Sequence, residues 1–222
     1  MKHKMMILDF LFPNRCLHCN LMIGGDDLVC EICLKQVHFS HFDFFEDNLL
    51  KNQCKLLFPV ENAYSLMFFQ KESLSRKIIH QLKYGNREKI GKNLSEWTCE
   101  KLDFKDQKPD LLVTIPLHKS KLKKRGYNQL HLFAETFSKK QEIPFDHEIL
   151  KRHKNSKAQA LRSKEQRVKS EKKFSLNKEI SGKHILVIDD VFTTGNTMAD
   201  AVWEILKSGN NRVSVLVMAM DI

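Results

Sequence analysis

Apolar positions along this chain follow two rhythms. Residues 62–69 and 111–115 read as short strands, and residues 185–188 (Ile-Leu-Val-Ile) form a third. Four apolar residues without polar alternation predict a strand buried on both faces, as in a parallel sheet. Between these runs the spacing lengthens. Leu74, Ile78 and Leu82 recur every fourth residue and predict a helix ending near Lys83-Tyr84-Gly85. A second helix is predicted over 90–102. A third follows Gln129, with Leu130, Phe133, Ala134 and Phe137 facing inward, and a fourth uses Ala201, Val202, Ile205 and Leu206. Strands alternating with amphipathic helices predict an α/β fold.

The stretch 185–197 joins a buried strand to a hydroxyl-rich glycine turn and a helix start. Asp189 and Asp190 stand at the strand's carboxyl end, where open α/β sheets place ligands. Thr193, Thr194 and Thr197 surround Gly195 and Asn196. A helix N-terminus offers unpaired N–H groups and roughly half a positive charge, and threonine hydroxyls add donors around an anion. The carboxylates can accept hydrogen bonds from sugar hydroxyls, so the segment suits a sugar phosphate. A threonine that merely caps the helix is the plainer alternative, but it leaves the acid pair and two further hydroxyls unexplained.

This segment resembles the 13-residue motif with which type I phosphoribosyltransferases bind phosphoribosyl pyrophosphate (PRPP). The resemblance implies that Asp189 and Asp190 hold the ribose 2′ and 3′ hydroxyls. It also implies that Thr193, Thr194, Gly195, Asn196 and Thr197 cradle the 5′-phosphate, with Mg²⁺ accompanying the pyrophosphate.

A length of 222 residues fits one α/β domain with a small attachment. No apolar stretch approaches the ~20 residues that span a bilayer. The run 7–12 is broken by Asp9 and lacks a small-residue cleavage site, so it makes a poor signal peptide and a cytoplasmic location is expected. The net charge is +10, and it is unevenly placed. Between Pro116 and Lys183 there are 19 Lys and Arg against 7 Asp and Glu, a local balance of +12, while the remainder carries 18 against 20. Charge concentrated in this way points to a polyanionic partner or, more plainly, to a solvated surface.

Cys16-x2-Cys19 and Cys30-x2-Cys33 are spaced to close on Zn²⁺ as a structural four-thiolate site. A redox or incidental set is the alternative, and a reducing compartment argues against disulfides. So short a module buries little, so metal binding would supply most of its folding free energy. Cys54 and Cys99 are isolated and read as buried apolar residues. Phe39, Phe42, Phe44, Phe45 and Phe58, with His38 and His41, either stack on unpaired bases or dock the small module on the larger domain, the second being favoured. The expected division is a four-cysteine module over 1–37, a docking linker over 38–60 and the α/β domain over 61–222.

Two further blocks stand between the ends. After Pro116 comes a strand-end loop with Lys119, Lys121, Lys123 and Lys124, then Arg125-Gly126-Tyr127-Asn128-Gln129. Later come Arg152 and Gln159-x-Leu161-x5-Arg167, a polar stretch with the character of a flap. With the four cysteines and the 185–197 motif, these blocks resemble the ComF (ComFC) competence family in order and across essentially the whole chain. Ser170 departs from that family's frequent Asn. The resemblance implies a type I phosphoribosyltransferase-like parallel sheet flanked by helices, with a small N-terminal zinc-finger module. It also implies a role in natural transformation, in the cytoplasm or peripherally at the inner face of the inner membrane, beside a ComFA-type helicase.

Two functions of different class follow. One is a single-stranded DNA handling factor that retains a PRPP site; the other is an active phosphoribosyltransferase with an unidentified acceptor. A surplus of twelve positive charges exceeds what one sugar phosphate needs and favours the first. Lys123, Lys124, Arg125, Arg162 and Arg167 are the candidate contacts to nucleic acid or pyrophosphate. No residue set identifies a catalytic group.

Overall fold

The computed structural model describes residues 13–85, 89–153 and 173–222. The chain enters through a small ribbon in which Arg15 bridges Met22, followed by the short helix α1 (Glu31–Leu34). Helix α2 (Leu49–Lys55) is capped by Asn48, whose side chain accepts from the Lys51 N–H. Then come β1 (Ala63–Phe69), α3 (Leu74–Tyr84), α4 (Lys89–Lys101) and β2 (Leu111–Thr114). Next are α5 (Lys119–Arg125), α6 (Gln129–Gln141), β3 (Leu150–Arg152) and β4 (Phe174–Leu176). The chain closes with β5 (His184–Phe192), α7 (Asn196–Leu206) and β6 (Arg212–Asp221).

Four strands form a parallel sheet in the order β1-β6-β5-β2. Successive side chains on a strand face opposite ways, and β5 shows what that does here. Leu186 and Ile188 join an apolar cluster with Ile78 and Leu82 of α3, Leu94 of α4, and Phe133 and Phe137 of α6. Ile185 and Val187 join a second cluster with Val202 and Ile205 of α7 and Leu50 of α2. Both faces are covered, so β5 and β6 need apolar residues at consecutive positions; β6 is buried from Val213 to Met220. Each large apolar side chain fully buried there stabilises the fold by about 1.5–3 kcal/mol.

The predicted helices match their spacing. Helix α3 starts at Ser73, whose hydroxyl accepts from the Arg76 N–H, and it closes at Gly85. Two expectations need correction. The strand carrying the acid pair does not stop before it: β5 runs on to Phe192, because β6 continues beside it, Val191 pairing with Ala219 and Phe192 with Met220. The lysine-rich stretch after Pro116 is not a loop but the helix α5. His118 caps its start by accepting from the Ser120 N–H, and Gly126, at φ +77°, ends it. Strands β3 and β4 form a small antiparallel ribbon that the apolar pattern did not announce. The flap expected around Gln159 lies outside the described residues.

The N-terminal ribbon is packed onto the domain. Cys16, Leu28, Val29, Cys33 and Val37 share the cluster that contains Tyr64, Leu66 and Phe104. Residues 38–40 run along the free edge of β1: Phe39 pairs with Met67, the Ser40 N–H donates to the Leu66 carbonyl at 3.0 Å, and the Phe68 N–H donates to that of His38 at 2.8 Å. A covered edge cannot template pairing with another chain. The phenylalanines serve the same docking. Phe44 meets Phe104 edge-on at 5.0 Å, Phe39 meets Trp97 at 5.7 Å and Phe42 meets Phe68 at 5.6 Å. These contacts are the docking that the sequence favoured for this run.

Candidate sugar-phosphate site and metal centre

A cavity of about 160 Å³ opens at the carboxyl ends of β2 and β5. Its walls are Lys83, residues 115–117, Arg125, Arg152 and residues 189–198. Asp189, Asp190, Thr193, Thr194, Gly195, Asn196 and Thr197 therefore all line one space.

Gly195 makes the turn possible. It sits at φ +72°, a conformation that L side chains rarely adopt, and caps α7. A Cβ at this position would collide with Leu57 and Phe192. The residue that caps the start of α7 is thus a glycine and not one of the threonines. Thr193, Thr194 and Asn196 are exposed at the mouth, and Thr197 is half-buried.

The two carboxylates are not equivalent. Neighbours on a strand point to opposite faces, and Asp190 turns toward the layer of α3 and α6. There its Oδ1 lies 3.0 Å from Lys83 Nζ and its Oδ2 accepts from Gln129 Nε2 at 2.5 Å. Asp189 turns the other way, and among the described residues its Oδ1 accepts only the adjacent Asp190 N–H, at 2.8 Å. Burial and the charge of Asp190 push the Asp189 carboxyl up to about 7, against the weaker pull of that N–H, Lys83 and Arg152. One acid is paired with a cation; the carboxyl of the other is raised toward neutrality.

Among the described residues, three cations line the cavity. The Arg125 guanidinium donates to Gln129 Oε1 at 2.8 Å and lies 5.1 Å from the Tyr84 ring centroid. Arg152 stacks over Phe174 at 5.3 Å, its Nη1 3.4 Å from the Pro116 carbonyl. Lys83 completes the set. Of the basic candidates from the sequence, Arg125 lines the cavity, Lys123 is exposed on α5 and Lys124 lies on the same helix. Arg162 and Arg167 fall outside the described residues. The sequence marks Lys83 only as a helix end, Arg152 only as the head of a polar block and Gln129 only as part of a block, with no site role for any of them. Lys83 and Gln129 sit at helix ends next to glycine- and asparagine-containing turns, and that is the only local sign they carry.

The four N-terminal thiols form a second centre. The sulfurs of Cys16, Cys19, Cys30 and Cys33 all lie within 4.8 Å of one another, with Cys19 and Cys30 at 3.7 Å. Tetrahedral zinc with Zn–S bonds of about 2.3 Å requires sulfurs about 3.8 Å apart, so the cluster fits that ion. Burial and the surrounding sulfurs push Cys33 up to about 12. A metal that keeps all four as thiolates is the natural relief. Cys54 is fully buried, where desolvation raises its thiol to about 12, whereas Cys99 is only half-buried.

The phosphoribosyl transferase domain profile matches residues 80–219, and a double zinc ribbon domain matches residues 7–43. The chain therefore belongs to the phosphoribosyltransferase domain family, in a form that carries an N-terminal zinc ribbon. Within it the chain is a member of the ComF (ComFC) group. Competence protein F of Haemophilus influenzae is 28% identical over 228 residues, covering 92% of this chain and 96% of that protein. Competence protein ComFC of Bacillus subtilis is 32% identical over 155 residues, 69% of this chain and 60% of its own. DNA utilization protein YhgH of Escherichia coli K12 is 32% identical over 144 residues, 62% of this chain and 63% of its own. The match thus spans less than two thirds of the last two relatives. Among the described residues, no helix is long and apolar enough to cross a membrane.

Proposed function

We propose that this protein is a DNA-uptake factor that binds single-stranded DNA and carries a PRPP-binding site of the phosphoribosyltransferase type. The observation that carries the reading is the single cavity in which Asp189 and the 193–197 turn face Lys83, Arg125 and Arg152. An anion at the start of α7 meets N–H groups and threonine hydroxyls, and the sugar attached to it reaches Asp189. A pyrophosphate meets the three cations. Asp189 is the acid placed to accept ribose hydroxyls or to hold Mg²⁺, which would neutralise the pyrophosphate. Asp190 acts with Lys83 as the fixed wall beside it.

Support for DNA comes from the other side of Arg125. Lys119 and Lys123 are exposed on α5, and neither has an ion-pair partner among the described residues. The names of the relatives, competence and DNA utilization proteins, point the same way. A basic surface without an element shaped for a groove suits a single strand with little sequence preference. The expected setting is cytoplasmic, in contact with uptake machinery such as a ComFA-type helicase. The four thiols hold a structural Zn²⁺.

A second reading, an active phosphoribosyltransferase, is favoured by Asp189. An acid poised near 7 exchanges a proton readily at neutral pH. The deciding experiment is calorimetric titration of PRPP with Mg²⁺, alongside anisotropy of a labelled oligothymidine. Asp189→Ala with Asp190→Ala removes PRPP binding and leaves DNA affinity within a few-fold. Loss of both ligands together means one shared site and refutes the separation. Pyrophosphate release with a defined base, measured with and without DNA, establishes the enzyme reading instead.

A further inference from the structure

The carboxamide of Gln129 joins two groups of opposite charge. Its Oε1 accepts from Arg125 Nη1 at 2.8 Å, and its Nε2 donates to Asp190 Oδ2 at 2.5 Å. Arginine offers no acceptor and an ionised carboxylate offers no donor, so the partners fix which way the amide points. Gln129 is only 2% exposed and is the first residue of α6, capped by Asn128, so it has little freedom to swing. A buried amide that loses one partner must lose orientation toward the other or leave a polar atom unpaired.

Arg125 belongs to two surfaces. It is the last residue of α5, which exposes Lys119 and Lys123, and it also lines the cavity that holds Asp189 and Asp190. The path from the basic helix to the acid pair is therefore two hydrogen bonds long, through one side chain that cannot be turned around.

We infer that Gln129 is a positioning residue that makes the two ligands antagonists: a phosphodiester strand that draws Arg125 toward α5 releases Gln129 and weakens the hold of the cavity on a sugar phosphate. The inference rests on the reading above that this chain binds both. The sign follows from two effects of the same movement. The guanidinium leaves the cavity wall, where it faces the anion, and Asp190 loses one of its two donors. Linkage makes the effect reciprocal, so bound sugar phosphate weakens the strand by the same factor.

The test uses the full chain. PRPP with Mg²⁺ is titrated calorimetrically at rising concentrations of a single-stranded oligothymidine, and oligothymidine is titrated by anisotropy at saturating PRPP. The expected result is a weakening of about 5- to 20-fold that levels off, equal in both directions. In Gln129→Met the factor falls to about 1, whatever the individual affinities become. Arg125→Lys keeps the charge but not the planar fork, and it lowers the factor too, which keeps the test available should Gln129→Met fold poorly. Unaltered affinity in the parent chain overturns the inference. So does a weakening that grows without limit, which is competition for one site, or a Gln129→Met chain that keeps the parent's factor. Failure of the parent chain to bind one of the ligands is a different outcome and overturns the functional reading itself.

Discussion

Lys83 Nζ stands 3.0 Å from Asp190 Oδ1, with both side chains largely shielded from water. The pair divides two adjacent acids into a neutralised member and a free one. Lys83→Met keeps the apolar stem but strands the carboxylate beside Gln129 alone. A hydrogen bond to a charged group contributes about 1.5–3 kcal/mol, and a loss in that range is expected in urea unfolding at neutral pH. A double cycle with Asp190→Asn should show strong non-additivity, since the two changes remove one interaction. Additive effects would show that the pair contributes little.

The raised carboxyl of Asp189 predicts opposite pH responses for stability and for binding. In the unfolded chain this acid titrates near 4, whereas in the fold it holds its proton to about 7. Between those values the folded state binds the extra proton. Its stabilising contribution is thus complete below about 4 and is lost as pH rises to 7. Asp189→Asn removes the buried charge, so it should raise stability at pH 8 by about 1–3 kcal/mol and change it little at pH 4. The same variant should lose PRPP. In the parent chain PRPP affinity should fall about tenfold for each unit of pH below 7, as the ribose-binding acid becomes neutral. A flat profile between pH 6 and 8 in calorimetry would exclude Asp189 from the site.

Much of this was legible in the residues. Ile185 to Ile188 required a strand covered on both faces, and the 193–197 turn required a glycine, because both depend on local spacing and backbone freedom. The inequality of the acids was not legible. It depends on Lys83 and Gln129, which come from two separate helices and meet Asp190 only after the sheet has formed. The parity of a strand could have shown that Asp189 and Asp190 face opposite layers, but not which layer holds a cation. The lysine-rich α5 reads as loop in the sequence because it has no apolar stripe; its caps, His118 and Gly126, are the available signal.

Gly195→Ala tests the turn itself. The substitution meets both a left-handed backbone at φ +72° and a collision with Leu57 and Phe192. Strain of this kind costs about 1–3 kcal/mol, and the loop relieves it by moving. PRPP affinity should drop more than about tenfold, and thermal melting should fall by several degrees. Retained affinity would mean that the turn does not cradle the phosphate.

Metal removal should act beyond the ribbon. Cys16 and Cys33 share an apolar cluster with Tyr64 and Phe104, so loss of the ion loosens a face of the domain as well as the module. Freshly purified reduced protein should contain one zinc per chain by elemental analysis. Stripping it with a chelator, or Cys33→Ser, should lower the melting temperature and expose Phe39 and Phe44 to a hydrophobic dye. Such sites contribute apparent binding free energies of about 10–16 kcal/mol, so partial occupancy is not expected at neutral pH. Substoichiometric zinc would refute the four-thiolate assignment.

The basic helix is tested by salt. Each phosphate neutralised on a single strand contributes about −0.7 to the slope of log affinity against log salt concentration. Lys119 and Lys123 are exposed, outside the cavity and on the same short helix as Arg125. If both contact the strand, Lys119→Gln with Lys123→Gln should make the slope shallower by about 1.4 and weaken binding several-fold at low salt. PRPP affinity should change far less, because neither residue lines the cavity. The measurement is oligothymidine anisotropy from low to moderate salt, with calorimetric PRPP titration as the control. A slope that does not move would place the nucleic-acid track elsewhere on the basic middle of the chain, and a parallel loss of PRPP would show the substitutions acting through the fold.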